Sequence, residues 1–211
     1  MGLRSIAWAA LAALLVLASG AGPVVAAGTP GEPTEAESES LAGRLLVAER
    51  GMPDRRFAES VIFMVRHDET GAFGLIVNRY VAARPLAELL EAMGHAVEGA
   101  EGVLRLHLGG PVETDIGFVL HTADYEDEAS IRVGARYALN SGIDILREIA
   151  MGAGPRRHLF AFGYAGWGPG QLEGELARED WFVVPANEDV IFDEAVDTKW
   201  LRCVDARGID L

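Results

Sequence analysis

Five histidines, a single cysteine and scattered serines are the side chains of this chain suited to nucleophilic or acid–base chemistry. A serine or cysteine nucleophile needs a histidine to take its proton and an acid to orient that histidine. The parts at hand, Ser60, Ser141, His67, His121 and Asp144, lie far apart, and no G-x-S-x-G turn presents a serine. Cys203 stands among Trp200, Leu201 and Val204, where a thiol packs as a small hydrophobe. The histidines lack H-x-H and H-E-x-x-H spacing, so no metal site and no bound cofactor are expected. His67-Asp68 follows a strand-like run and precedes a glycine turn, whereas metal-dependent HD pairs sit on helices. Glu173 and Glu175 are spaced for acid–base work, and Asp124, Glu126 and Asp127 read as a solvated loop tip. Gly163-x-x-Gly166-x-Gly168-x-Gly170 has the look of a phosphate cradle opening a helix. It lacks the Lys-Ser/Thr ending of a P-loop, and glycines in such runs serve tight backbone turns.

The elements that must position these residues alternate from Leu41 onward. Arg44–Ala48, Val61–Val65, Gly74–Asn78, Val103–Leu108, Gly117–His121 and His158–Gly163 are short aliphatic runs bounded by turn residues, and read as strands. Val61–Val65 is apolar throughout, as a strand covered on both faces must be. Leu86, Leu89, Leu90 and Met93 carry helical spacing between Pro85 and Gly94. A second helix begins beyond Ser141 with Ile143 and Leu146 inward, a third near Pro169 with Leu172 and Leu176 one turn apart, and a fourth runs from Asp189 to about Cys203. Strands and helices intermix without a regular βαβ period. The expected architecture is therefore α+β (mixed α/β): one compact domain, residues 41–211, with a mixed β-sheet and three to four flanking helices.

The N-terminus reads as an address. Arg4 precedes 13 unbroken apolar residues, Ile6–Ala18, and small residues end at Ala26-Ala27. That is the order of a secretory signal, residues 1–27, cleaved after Ala26 or Ala27. The apolar run spans roughly 20 Å as a helix, short of a bilayer core of about 30 Å, so no stable membrane span is expected after the signal is removed. Residues 28–40 (GTPGEPTEAESES) hold nothing apolar larger than alanine and read as a flexible linker. The formal charge of −14 repels a phosphate backbone, which makes nucleic acid an unsuitable partner.

Four segments carry more specific information: Gly51-Met52-Pro53-Asp54 leading into Ser60-Val61-Ile62; Gly71–Arg79 (GAFGLIVNR); Leu108-Gly109-Gly110-Pro111-Val112; and Gly163–Glu173 (GYAGWGPGQLE), followed by Trp181 and Lys199-Trp200. In this order they resemble the YqgE/AlgH family of bacterial proteins over essentially the whole of residues 41–211. The resemblance implies an α+β fold without an established biochemical activity, and one family name reflects a proposed role in controlling alginate-synthesis genes. Two departures stand out: the export signal with its linker, and Tyr80 where the family usually has proline after Asn-Arg. Export would remove a transcriptional regulator from its target.

The sequence thus points to a binding or regulatory domain, non-enzymatic, periplasmic or secreted, whose partner is a protein or a small molecule. The expected recognition pocket is lined by Tyr164, Trp167 and Gln171 at one end of the sheet, beside Asn78 and His121. The rival reading is a hydrolase using His121, His67 and a carboxylate; it requires those histidines to converge on one concavity.

Overall fold

The computed structural model describes residues 40–207. The expected signal, linker residues 28–39 and the last four residues lie outside them. Ten strands form one curled sheet: β1 (Arg44–Ala48), β2 (Val61–Asp68), β3 (Gly71–Ile76), β4 (Tyr80–Pro85), β5 (Val103–Leu108), β6 (Val112–Thr122), β7 (Ile131–Val133), β8 (Tyr137–Asn140), β9 (His158–Trp167) and β10 (Trp181–Pro185). The main order is β10-β1-β2-β3-β9-β6-β8-β7, with β4 and β5 branching off β9. Every pairing is antiparallel except β5 with β9, which run parallel with Leu106 opposite Phe160. The sheet is mixed, as expected, and the fold is α+β.

Both faces of β2 are buried, which explains its unbroken apolar run. Phe63 and Val65 face the inside of the curl, where Leu45, Phe118, Leu120 and Tyr137 join them. Phe63 meets Tyr137 edge to face at 5.0 Å, so strands distant in the sheet order touch across the interior. Ile62 and Met64 face outward beneath Trp167, Leu172 and Trp181. Burying side chains of this size contributes about 1.5–3 kcal/mol each.

Five helices cover the sheet: α1 (Leu86–Ala92), α2 (Asp144–Ala150), α3 (Gln171–Ala177), α4 (Glu188–Phe192) and α5 (Lys199–Arg207). Pro85 and Gly94 bracket α1, while α2 begins at Asp144, three residues beyond the expected cap Ser141. Together α1 and α2 bury Leu86, Leu90, Ile145 and Leu146 against Leu104, Val119 and Phe160. The single helix expected over 189–203 is split. The Asp193 carboxylate accepts the Ala195 N–H at 2.8 Å and the Arg202 guanidinium at 2.7 Å, a local turn that competes with the helix. A 3-10 turn, Val196–Thr198, then leads into α5. That helix opens on the chain's only lysine, Lys199, which is fully buried and donates to the carbonyls of Ile191 (2.7 Å) and Val77 (3.0 Å).

Candidate functional site

The strand expected to stop at Gly163 continues to Trp167, and this decides where the predicted pocket residues go. Alternation along β9 sends Tyr164 to the inner face, against Phe73 at 4.7 Å and Phe118 at 6.1 Å. Trp167 points the other way, stacked on Phe57 and edge-on to Trp181. Its indole N–H donates to Glu175 Oε2 at 2.8 Å, as does that of Trp181. Gln171 is exposed; its amide donates to Glu175 Oε1 at 2.9 Å and its Oε1 accepts the Gly168 N–H. It stands at the first position of α3 rather than the third, because the helix starts at Gln171 and not at Pro169. Asn78 accepts the Val61 N–H and donates to the Glu59 carbonyl, closing the β2–β3 end.

His121 pairs with His158, nine residues from Trp167 along β9, a strand length of up to roughly 30 Å. The five residues therefore form no single pocket, and the space around Trp167 is filled by aromatic rings. The histidines of the hydrolase reading do not meet either. His67 packs at the β2–β3 turn, accepting the Leu41 N–H at Nδ1 and bonding Glu173 through Nε2 at 2.9 Å. His121 is fully buried, with Nδ1 2.9 Å from the Thr122 carbonyl and Nε2 3.3 Å from Ser130 Oγ.

A hollow of about 330 Å3 does gather chemistry that the sequence did not connect. The parallel pairing of β5 and β9 sets Arg105 and His107 beside the Arg156–Phe160 segment, and the end of α4 (Phe192–Glu194) closes the far wall. Arg105 lies 4.5 Å over the Tyr80 ring and donates to the Glu194 carbonyl at 3.0 Å. Arg157 sits over Phe192 and pairs with Asp189 at 2.7 Å, and Arg156 pairs with Glu188 at 3.0 Å. His107 is buried, with Nδ1 3.1 Å from the Phe160 carbonyl, and burial lowers its pKa. Burial also lowers the pKa of His158, offset only in part by the Pro155 carbonyl. Its Nδ1 is buried and makes no well-formed hydrogen bond among the described residues. The Lys199 amine is held down to about 7 by its burial, and its charge depresses His107 further.

Three guanidinium groups held by rings and carboxylates, with two neutral imidazoles at hand, suit a ligand that brings negative charge and hydrogen-bond acceptors. Arg105 and Arg157 compete with exposed acids, Glu194 and Asp189, and such pairs hold by only about 0–1 kcal/mol. Sequence reading missed the site because its histidines and arginines look isolated until the parallel strand register is known. Among the described residues no three histidine, cysteine or acidic side chains group as metal ligands, and no helix is long and apolar enough to cross a membrane.

Residues 45–211 match the family model described as AlgH-like. A UPF0301 protein of Methylococcus capsulatus is 47% identical over 169 residues, covering 80% of this chain and 92% of its own. One from Jannaschia is 42% identical over 175 residues, with 82% and 91% covered. The solution structure of the AlgH protein from Pseudomonas aeruginosa superposes with a TM-score of 0.66 at 35% identity, covering 85% of this chain and 92% of that one. A crystal structure from Corynebacterium diphtheriae gives 0.63 at 25% identity, with 78% and 86% covered.

Proposed function

The chain belongs to the AlgH-like family, and from that premise we propose that it is an exported binding domain which takes a small anionic molecule into the hollow between β5, β9 and α4. One observation carries the reading. In a chain of formal charge −14, Arg105, Arg156 and Arg157 converge with two histidines on a single concavity. Asp193 and Glu194 line the same hollow and each guanidinium has a carboxylate partner, so an anion binds there by taking the place of those surface carboxylates on the arginines. The N-terminal leader supports a location in the periplasm or outside the cell, where nucleic acid is not the partner.

The test is isothermal titration with inorganic phosphate, citrate and a neutral sugar at low salt. The expected result is saturable binding of an anion but not of the sugar, weakened about tenfold or more in Arg157→Ala, as loss of a charge-assisted hydrogen bond predicts. Binding should strengthen as pH falls below 6.5, because His107 and His158 are neutral above it and an anion favours their protonated forms. Binding of the sugar, or equal anion binding by wild type and Arg157→Ala, rejects the proposal.

A further inference from the structure

The loop joining β6 to β7 holds a second arrangement, independent of the anion site. We propose that Ser130 is a base-activated nucleophile, with His121 as its general base, in a hollow of about 280 Å3 that admits a neutral or cationic acyl ester.

Hydrogen-bond direction carries the argument. The Thr122 carbonyl can only accept, so His121 Nδ1, 2.9 Å away, bears the ring proton and Nε2 presents a lone pair. That lone pair faces Ser130 Oγ at 3.3 Å. The Asn140 amide is oriented by the Gly142 N–H on its Oδ1 (2.6 Å) and by Asp127 on its Nδ2 (2.8 Å). Asn140 Nδ2 also donates to Ser130 Oγ at 3.0 Å. With its acceptor side occupied by Asn140, the serine hydroxyl directs its one hydrogen to His121. The Asn140 N–H strengthens as the oxygen gains negative charge, which favours loss of that proton. His121 and Asn140 sit on neighbouring strands in fixed register, and the Tyr125 ring backs the imidazole at 5.9 Å. Burial keeps His121 neutral further into the acid range than a free imidazole, so it is ready as a base at neutral pH.

In the reaction the Ser130 Oγ–acyl carbon bond forms while His121 Nε2 takes the hydroxyl proton. The ester C–O bond then breaks, and His121 returns that proton to the departing alcohol. Water attacks the acyl carbon with His121 again taking a proton, which goes back to Ser130 Oγ as the carboxylic acid leaves. Arg132 lines the hollow, bonded to Glu126 Oε1 at 3.1 Å and to the Ala123 carbonyl at 3.2 Å, and it reaches the developing oxyanion only by turning from Glu126. Glu126, Asp127 and Glu128 line it too, and repel anionic acyl groups.

Full-length protein treated with an uncharged fluorophosphonate should gain a phosphonyl group on Ser130, fluoride leaving, as mapped by peptide mass spectrometry. Ser130→Ala should lose the adduct while circular dichroism reports a folded domain, and His121→Gln should slow labelling on the order of 100-fold, the usual contribution of a general base. Because His121 is buried, the wild-type pH profile provides a measure that needs no variant. Labelling should decline as His121 protonates, with its midpoint below 6.5, while circular dichroism reports an intact fold. No adduct on folded wild-type protein, an adduct on another residue, or a labelling rate flat through that range overturns the assignment.

Discussion

The carboxylate of Glu175 holds three side-chain donors at once: the indoles of Trp167 and Trp181 on one oxygen and the Gln171 amide on the other. Both tryptophans are buried, so their N–H groups have no water to fall back on. Glu175→Ala should therefore lower stability by about 2–4 kcal/mol, the cost of stranding two buried donors. Gln171→Leu removes a bond at an exposed position and should cost less than about 1 kcal/mol. Urea denaturation of the two variants checks the contrast; equal losses would contradict this division of labour. The sequence marked Trp167, Gln171 and Trp181 as special, but read the first two as walls of a pocket. Their meeting on Glu175 depends on the strand return from α3 to β10, which spacing along the chain does not display.

Strand β9 is the element on which the sheet depends. Its first half runs parallel to β5 and its last residues run antiparallel to β3, so the neighbour on one side changes midway. Gly109 fills the changeover, donating to the Phe162 carbonyl at 2.7 Å and accepting the Ile76 N–H at 2.8 Å. The backbones approach so closely here that a Cβ on Gly110 would lie 2.0 Å from the Tyr164 carbonyl carbon. On the facing strand Gly163 adopts φ +67°, a left-handed conformation that other residues enter at a cost. Gly110→Ala cannot be absorbed by a side-chain rotation, since backbone stands in the way. The expected outcome is loss of the cooperative thermal transition, seen by calorimetry, whereas Gly152→Ala, with open space at its Cβ, should melt as a folded protein.

This contact explains Gly109, Gly110 and Gly163 together, while Gly170 answers a different need, a left-handed φ of +71° at the start of α3. Sequence reading placed β1 and β5 to the residue, because their apolar runs are bounded by clear turn signals. It missed β4, whose side chains are mostly exposed and so lack an apolar period, and the short β7 and β8. β10 (WFVVP) was passed over although Trp181, Phe182 and Val184 are buried. Pairing between strands was beyond reach throughout, and with it the hollow that parallel β5 and β9 create.

Across the whole molecule, acidic residues outnumber basic ones 32 to 18, and three of the arginines, Arg105, Arg156 and Arg157, meet where β5, β9 and α4 come together. Removal of residues 1–27 as proposed takes away one positive charge, Arg4, and leaves a mature domain of −15 in place of −14. Cell fractionation with intact-mass measurement should find that shortened product in the periplasm or medium, lacking the first 26 or 27 residues. Full-length protein confined to the cytosol would refute export. One further property follows from Lys199. The only side-chain amine of the chain is enclosed beneath α4, so the folded surface offers nothing but the α-amino group to acylating dyes and amine cross-linkers. A lysine-specific protease likewise has a single cleavage point, and that point is reached only when the domain opens. Reagents that modify most proteins indiscriminately act on this one as reporters of unfolding.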